Sequence, residues 1–369
     1  VSLPLEGRVV VELGHSVAAP AAGQILADLG GDVVKIEKAE GDDARKWGPP
    51  FVDGASATFQ ALNRHKRSVV CDLRDERQRE ALIHFIVDKA DVVLQNLRPG
   101  QLEKLGLSGA ALIQRKPGLI YCNIGAFGAR GPLAERPGYD PLMQAFGGIM
   151  SITGEQGRPP VRVGPSIIDA GTAMWAVIGI LSKLYEGKGG LVDVSLFETA
   201  TAWMNMHAAM YCASGEVPKK HGSGQTGIVP YRAYRTRDGD IVVPAGNNNL
   251  FRRFAGVLGH PEWADDARFR DNPERVKNQG VLYGLIEPEM LKRTNAEWTA
   301  ALDEAGVPCA PVQDVKQLLE TEQLAVLGLV RQAEGSSIPL IGLPISFDGQ
   351  RPPHGRAAPK LGEHTKDLL

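Results

Sequence analysis

The sequence predicts a mixed α/β protein whose larger part is built on a parallel sheet. Short β-branched runs alternate with helical segments through the first third of the chain, and several of these runs are continuously apolar. Continuously apolar strands are typical of parallel sheets that helices cover on both faces. We therefore expect right-handed crossovers and a Rossmann-like arrangement of strands.

The individual elements follow in regular order. Strands are predicted at residues 9–13, 32–37, 68–73, 91–94 and 119–124, and helices at 21–29, 82–90, 141–151 and 169–185. The helix at 82–90 is amphipathic, with apolar residues at helical spacing. The helix at 169–185 is apolar around most of its circumference, which predicts burial. A hairpin is predicted later, with strands at 231–236 and 240–244 around an Asp-Gly turn.

The chain has 369 residues, a length that predicts two domains. We assign residues 1–204 and 331–369 to a large domain, 222–330 to a smaller inserted α/β domain, and 205–221 to a linker. With 41 Lys+Arg against 43 Asp+Glu, no nucleic-acid partner is expected. The N-terminal residues do not resemble a signal peptide, and the most apolar stretch, 170–181, is shorter than the roughly 20 residues that span a bilayer. We expect no membrane partner and a cytoplasmic location.

Several motifs argue against other classes of protein. The four cysteines lie far apart and the eight histidines form no close pair, so no metal site is expected. Cys71 and Cys122 lie in apolar strands and are predicted to be buried. The GxGxxG match at 222–227 precedes a strand-like segment, which favours a flexible loop over a dinucleotide site. The segment 14–18, GHSVA, resembles a nucleophile elbow but ends in Ala and follows the first strand, so a serine hydrolase is disfavoured.

Asp169 is the most informative single residue. It follows two isoleucines and precedes Ala-Gly-Thr-Ala at the start of the apolar helix. Asp at such a position is commonly an N-cap. The same position suits a nucleophilic carboxylate, because the helix N-terminus stabilises the anion and small neighbours admit a substrate. The residues alone favour the N-cap and leave the nucleophile open.

Blocks typical of one protein family run in order through nearly the whole chain. They read VVELGHSVAAPAAGQILADLGGDVVKIEKAEGDDAR, NRHKRSVVCDLRD, DVVLQNLRPGQLEKLGL, GYDPLMQAFGGIMSITG, VGPSIIDAGTAMWAVIGIL, GIVPYRAYRTRDGDIVVPAGNNNLF, GVPCAPV and PKLGEHT. On these blocks the chain resembles the class III CoA-transferase (CaiB/BaiF) family, which also contains α-methylacyl-CoA racemases.

The resemblance implies an interlocked homodimer, with a Rossmann-like large domain built from both ends of each chain. Asp169 matches the family's catalytic aspartate, which attacks the acyl-CoA thioester and carries the acyl group and then CoA. This match favours the nucleophile over the N-cap. No tightly bound cofactor is implied, because the CoA thioester is a substrate, and the partners are an acyl-CoA and a carboxylic acid.

The resemblance also assigns binding residues. CoA-binding positions are His15, Ala18, Lys38, Leu73, Arg74, Asn96, Leu97, Lys104 and Tyr139. Substrate-binding positions are Val17, Tyr139, Gly246, Asn247 and Asn248. Candidates for a distal carboxylate are Arg162, Arg232 and Arg253, which the sequence does not rank.

The chain departs from other members of this family at two positions, and both narrow the range of expected substrates. Val17 stands where some transferases carry Gln, and 244–249 (PAGNNN) replaces the glycine-rich loop of formyl-CoA transferases. The segments GIVPYRAY and AGNNN resemble the succinyl-CoA:dicarboxylate members, which predicts a short dicarboxylate. Two alternatives remain. A racemase needs a second base, yet Tyr139 stands where the racemases have His, and tyrosine's ordinary pKa near 10 is unsuited. A non-catalytic CoA-binding protein would not need Asp169.

Overall fold

The computed structural model describes residues 3–368. Val1, Ser2 and Leu369, which include the outer ends of the predicted large domain, lie outside the described residues. The strands are β1 Val9–Leu13, β2 Asp32–Glu37, β3 Phe51–Val52, β4 Ala55–Ser56, β5 Arg67–Val70, β6 Val92–Gln95, β7 Ile120–Gly125, β8 Gly190–Ser195, β9 Tyr231–Arg235, β10 Asp240–Pro244, β11 Ala310–Pro311, β12 Val330–Gln332 and β13 Pro339–Ile341.

Helices cover nearly half of the remaining described residues. They are α1 Ala18–Asp28, α2 Ala57–Asn63, α3 Glu76–Lys89, α4 Gly109–Arg115, α5 Asp140–Phe146, α6 Ile149–Ile152, α7 Ile167–Glu186, α8 Leu196–Trp203, α9 Asn205–Ser214, α10 Asn248–Val257, α11 Asn272–Lys277, α12 Gln279–Met290, α13 Asn295–Glu304, α14 Val315–Leu319, α15 Glu322–Leu327 and α16 Thr365–Leu368. Short 3₁₀ segments lie at Asp43–Lys46, Glu103–Leu105 and Pro261–Ala264.

A six-stranded parallel sheet organises the larger unit, in the order β5-β2-β1-β6-β7-β8. In chain order these strands read 3-2-1-4-5-6, the order of the doubly wound Rossmann fold. Successive strands are added to one side of β1 up to β5, and from β6 onward they are added to the other side. The strand order therefore reverses between β1 and β6, although all strands are parallel. Crevices form at such a reversal, outside the carboxyl ends of the strands, and ligands of doubly wound proteins bind there. The mixed α/β class with a parallel central sheet is confirmed.

Most of the predicted elements are present, with some changes at their ends. Strands β1 and β2 have the predicted bounds, and the β9–β10 hairpin is formed. The helix predicted at 141–151 is instead split into α5 and α6, because Gly148 adopts a φ of +88° that interrupts it. Strand β8 was not predicted. Its burial alternates along the edge of the sheet, so it lacks the continuous apolar run used to recognise the other strands.

Helix α7 is 20 residues long, longer than the 12-residue apolar stretch noted in the sequence, and by length and composition alone it could cross a membrane. The prediction that it is too short was wrong on this point. The helix packs against α1 and β8, and it buries Ile168, Ala173 and Ile180 in the core of the larger unit. One face of the helix is therefore part of the core, while Met174, Trp175 and Ile178 are exposed.

The described residues divide into two compact units. The first contains residues 3–149, 162–214 and 321–368, and the second contains Met150–Val161 and Gly215–Glu320. The residues predicted as a linker cover α9 of the first unit and the first seven residues of the 215–320 segment. In the second unit, β9, β10 and β11 form an antiparallel sheet over a core that includes Phe251, Phe254 and Trp298. Residues 222–227 lie in turns before β9, and no helix follows them directly.

Candidate active site

The crevice at the strand reversal is closed on one side by hydrogen bonds between two loops. The Asn96 side chain follows β6, and its Oδ1 accepts a hydrogen bond from the backbone N–H of His15 at 3.0 Å. Its Nδ2 donates to the carbonyl oxygen of His15 at 2.9 Å. Asn96 therefore joins the β1–α1 turn to the loop after β6, at the place where a doubly wound sheet binds its ligand.

A first cavity of about 450 Å³ opens at the carboxyl ends of β1, β2 and β5. Its apolar wall is formed by Leu13, Ile36, Cys71, Leu73 and Leu97. A cavity of this size with an apolar wall suits a weakly polar group such as a nucleotide base.

Charged side chains lie at the rim of this first cavity. Lys38 donates to Asp43 at 3.0 Å, and the Arg74 Nε donates to Asp72 at 3.0 Å. Both cations are exposed and paired, so an incoming phosphate would compete with these carboxylates. The predicted CoA-binding residues His15, Lys38, Leu73, Arg74 and Leu97 all line this cavity.

A second cavity of about 620 Å³ adjoins the first and shares the lining residues His15, Asp43 and Leu97 with it. The predicted residues that line it are His15, Val17, Ala18, Asn96, Leu97, Tyr139 and Asp169. Lys104 lines neither cavity and is exposed on a 3₁₀ segment. Two cationic residues, Arg98 and Arg136, also line the second cavity, and sequence reasoning missed both because isolated arginines in loops carry no distinguishing pattern.

Asp169 lies in the first turn of α7, two residues after the first helical residue. It is not the N-cap: Ser166 holds that position and makes no side-chain capping bond. The helix end is capped by Asp140, whose Oδ2 accepts hydrogen bonds from the backbone N–H of Ile168 at 2.8 Å and of Asp169 at 3.2 Å. Within residues 3–368, no hydrogen bond to the Asp169 carboxylate is found, so this group is available to a ligand.

Asp140 is buried and has a further partner. Its Oδ1 accepts from the Gln144 amide at 2.6 Å, and the oxygen of that amide accepts from the Val163 N–H at 2.8 Å. Nearby, Gly171 is small for a packing reason, because a Cβ there would lie 2.7 Å from the Trp203 ring. Sequence reasoning missed the capping role of Asp140, since nothing in the sequence places it beside a helix that begins 27 residues later.

The environment of Asp169 changes its ionisation. Burial, and second the negative charge of Asp140, raise the pKa of the Asp169 carboxyl from 3.8 to about 7. A carboxyl group that titrates near neutrality beside a ligand-sized cavity is typical of a functional site. The helix N-terminus favours the anion but does not offset these two effects.

This pKa predicts a pH-dependent effect of Asp169→Asn on stability. Because the folded-state pKa is raised, the contribution of Asp169 to the free energy of unfolding is largest below about pH 4 and is lost as pH rises through about 7. Asn mimics the neutral acid. We expect Asp169→Asn to be more stable than the wild type by about 2 kcal/mol at pH 8, and by less at pH 5. Urea unfolding at the two pH values measures this, and an equal difference at both would contradict it.

The cysteines add no reactive centre to these cavities. Cys71 and Cys122 are buried as predicted. Burial, and second the negative charge of nearby aspartates, raise the pKa of the Cys71 thiol to about 11 and that of Cys122 to about 12. Among residues 3–368, no group of three or more His, Cys, Asp or Glu side chains is arranged to hold a metal ion.

The second unit contains the predicted substrate-binding residues Gly246, Asn247 and Asn248. Asn247 caps α10, its Oδ1 accepting from the Leu250 N–H at 2.9 Å. The Oδ1 of Asn248 accepts from Arg275 at 3.0 Å. Each side-chain oxygen therefore accepts a hydrogen bond, and within the described residues no acceptor is found for either amide NH₂ group on this exposed segment. A Cβ on Gly246 would lie 2.1 Å from Ile228, so only glycine fits there.

Arg275 hydrogen-bonds to Gly246 and Asn248 and so holds this segment in place. Sequence reasoning missed this residue. Its fully buried guanidinium donates to the carbonyl oxygens of Val229, Phe269 and Gly246 at 2.7, 3.0 and 2.6 Å, besides Asn248. All four acceptors are neutral. The buried charge is thus stabilised by oriented amide dipoles, and it fixes both ends of the Gly246–Asn248 turn.

The three arginines proposed for a distal carboxylate differ in their contacts. Arg232 lies 3.5 Å from Glu287 and stacks over the Tyr283 ring. Arg162 donates to the carbonyl oxygen of Gly164 at 2.7 Å. Among residues 3–368, the hydrogen bond found for Arg253 is a long one, 3.4 Å, to the carbonyl oxygen of Ala305. Of the three, Arg253 has the weakest protein contact.

The fold and the two adjoining cavities define an enzyme of the doubly wound α/β class, with the Asp169 carboxylate at the second cavity. Residues 5–365 match the model of CoA-transferase family III, and the chain belongs to this family.

Among relatives, the chain is 36% identical over 380 residues to a succinate–glutarate CoA-transferase of Agrobacterium fabrum, with 99% of this chain and 95% of that protein covered. It is also 36% identical over 372 residues to an acetyl-CoA:oxalate CoA-transferase of Acetobacter aceti, at the same coverage. A crystal structure of a CaiB/BaiF family protein from Brucella suis has a TM-score of 0.90 and 38% identity, and the match covers 100% of this chain and 99% of that one.

Proposed function

We propose that this CoA-transferase moves CoA from an acyl-CoA donor to a short dicarboxylic acid, with Asp169 as the covalent nucleophile. The observation that carries the proposal is the position of Asp169, whose carboxylate lies in the wall of a cavity continuous with the strand-reversal crevice. The nucleotide part of CoA would occupy the first cavity, and the thioester would reach the second. The predicted CoA-binding residues, including Lys104, remain proposals in this arrangement.

The proposed chemistry has four balanced steps. The Asp169 carboxylate attacks the thioester carbonyl, forming a mixed anhydride and releasing CoA thiolate. The thiolate attacks the aspartyl carbonyl, which releases the donor acid and leaves an aspartyl-CoA thioester. The acceptor carboxylate then attacks that thioester, which forms a second anhydride and releases CoA thiolate. The thiolate finally attacks the acceptor carbonyl, which gives the new acyl-CoA and frees the Asp169 carboxylate. Each bond broken is replaced by one of similar energy, so no external energy source is needed.

Two observations support a dicarboxylate as acceptor. The curated relatives named above act, by their names, on succinate, glutarate and oxalate. In this chain, Asn247 and Asn248 are adjacent and exposed, and their side-chain oxygens each accept a hydrogen bond from the protein. Two amide NH₂ donors match the two oxygens of a carboxylate. We propose that they bind a carboxylate of the substrate that does not react.

A matrix of donors and acceptors tests this function. Succinyl-CoA, acetyl-CoA and oxalyl-CoA would each be incubated with dicarboxylates and with monocarboxylates of equal length, and new acyl-CoA measured by mass spectrometry. We expect transfer to at least one dicarboxylate and at least tenfold less to the matched monocarboxylate. Failure of every dicarboxylate would refute the substrate class. Deuterium exchange at the α-carbon of a branched acyl-CoA, without transfer, would instead indicate the racemase alternative.

We also propose that the protein acts as an interlocked homodimer in the cytoplasm. Large apolar side chains are exposed along α7 and the helices that follow it, and they are Met174, Trp175, Ile178, Trp203, Met206, Met210 and Tyr211. Exposed apolar surface of this kind marks interaction sites. Light scattering during gel filtration tests the assembly, and a monomer at micromolar concentration would contradict it.

Asp140→Asn is predicted to shift the pH dependence of the first half-reaction. Only ionised Asp169 can attack, so the rate should rise with pH through about 7. Removing the Asp140 charge lowers the pKa of Asp169, and the rate should then rise at lower pH. The variant should also lose about 1 kcal/mol of stability through weaker capping of α7. Stopped-flow release of CoA from pH 5.5 to 9 measures this, and an unchanged midpoint would contradict the coupling.

A further inference from the structure

A cluster of four buried charges lies directly behind the β1–α1 turn. Lys35 Nζ lies 2.8 Å from Glu12 Oε1 and 2.9 Å from Asp42 Oδ2, and Lys66 Nζ lies 2.8 Å from Glu12 Oε2. Each of these side chains is at most 1% exposed. Two positive and two negative charges cancel, which removes most of the penalty of burying them. None of the four takes part in the chemistry proposed above.

The cluster bonds to the backbone of the turn. Lys35 Nζ donates to the carbonyl oxygen of Gly14 at 2.8 Å, and Lys66 Nζ donates to that of Pro20 at 2.8 Å. Asp42 Oδ1 accepts from the Ser16 N–H at 3.1 Å. The charge cluster is therefore bonded to the β1–α1 connection at three positions, Gly14, Ser16 and Pro20.

Ser16 needs this support because its backbone is strained. It has a φ of +68°, in the left-handed region that residues other than glycine rarely adopt. Its flanking residues, His15 and Val17, line the proposed CoA cavities. Among the described residues, the hydrogen-bond partner found for the Ser16 Oγ is Nδ1 of the adjacent His15, at 3.3 Å. The left-handed conformation of Ser16 thus determines where His15 and Val17 lie in the cavity walls.

We propose that Asp42 is a positioning residue: held by Lys35, it keeps Ser16 left-handed and thereby sets the β1–α1 turn for CoA binding. This inference rests on the proposed function, because it takes CoA to be the ligand of the cavities. Asp42 is also among the lining residues of the first cavity. Its Oδ1 bonds to Ser16 and Ala44 and its Oδ2 faces Lys35, so we expect it to act through the turn.

The test is a mutant cycle read out by calorimetric titration with free CoA. Asp42→Ser preserves a capping hydroxyl for the 3₁₀ segment but removes the charge and the reach to Ser16. We expect its Kd for CoA to rise about tenfold. Adding Ser16→Gly should recover at least about threefold of this, because glycine adopts the left-handed conformation without support. Ser16→Gly alone is the reference for the double variant, and we expect it to change the Kd for CoA by less than Asp42→Ser does.

Asp28→Asn is the matched control. Asp28 is also buried and ion-paired, with Arg64, but it lies at the opposite end of α1 from the turn. It should lower stability without changing the Kd for CoA. If Asp42→Ser does not fold, Ser16→Val replaces it: a β-branched residue disfavours the left-handed region and leaves the charge cluster intact. We expect weaker CoA binding from that variant too.

The outcomes separate the two proposals. No CoA binding by the wild type would reject the proposed function. Wild-type binding with an unchanged Kd in Asp42→Ser, or in Ser16→Val where that variant is used, would reject the positioning role. Absence of any recovery on adding Ser16→Gly would also reject it, since weakening would then arise from the charge and not from the turn.

Discussion

Asp169→Asn is expected to lower the rate of CoA transfer by a factor on the order of 10⁴ or more, because the amide cannot form the anhydride or the thioester. The loss should appear in kcat, while the Kd for CoA changes less than about threefold. The raised pKa of Asp169 means that Asn resembles the neutral acid already present below neutral pH. Steady-state transfer and CoA titration on the same preparation measure both quantities.

Asp193→Asn is the control for this variant. Asp193 is an exposed acid on β8, lines neither cavity, and its Oδ1 accepts a hydrogen bond from Asn123 that an amide oxygen can also accept. Its transfer rate should stay within about twofold of the wild type. If Asp169→Asn retained more than about a tenth of wild-type activity, the covalent role of Asp169 would be wrong.

Arg275→Met is expected to have the largest effect on stability of the variants considered. It leaves the carbonyl oxygens of Val229, Phe269 and Gly246 and the Asn248 amide oxygen without their donor. Each unsatisfied buried acceptor costs about 1–3 kcal/mol, and partial relaxation brings the expected total to about 3–5 kcal/mol. Urea unfolding followed by circular dichroism measures this loss.

Two further variants separate charge from geometry at this position. Arg275→Lys retains the charge but replaces the planar fork by a single ammonium, so an intermediate loss is expected. Arg270→Met removes an exposed arginine from the same segment, where the change should be below about 0.5 kcal/mol. Equal stability of Arg275→Met and Arg270→Met would show that Arg275 does not hold the turn.

The sequence predicted the sheet well where strands are buried on both faces. The apolar runs at β1 and β2 are surrounded by helices and neighbouring strands, so hydrophobicity alone located them. β8 lies at the sheet edge and alternates in burial, and its pattern was not recognised. The break between α5 and α6 depends on one backbone angle at Gly148, which composition does not determine.

The candidate site was predicted through a resemblance more than through local chemistry. The residues alone favoured an N-cap at Asp169, and the structure places the capping function on Asp140 instead. The residues that support the site could not be predicted from the sequence, for a physical reason. Asp140, Arg275 and Asp42 act through contacts between segments distant in sequence, and a spacing rule detects only neighbours within one element.

The most direct test of the account is to trap the intermediate. The protein would be mixed with succinyl-CoA, quenched with hydroxylamine, digested, and analysed by mass spectrometry for a hydroxamate at Asp169. The account predicts modification of this residue only, absent in Asp169→Asn and removed when a dicarboxylate is added before the quench. Efficient CoA transfer by the wild type without any modification at Asp169 would contradict the central claim.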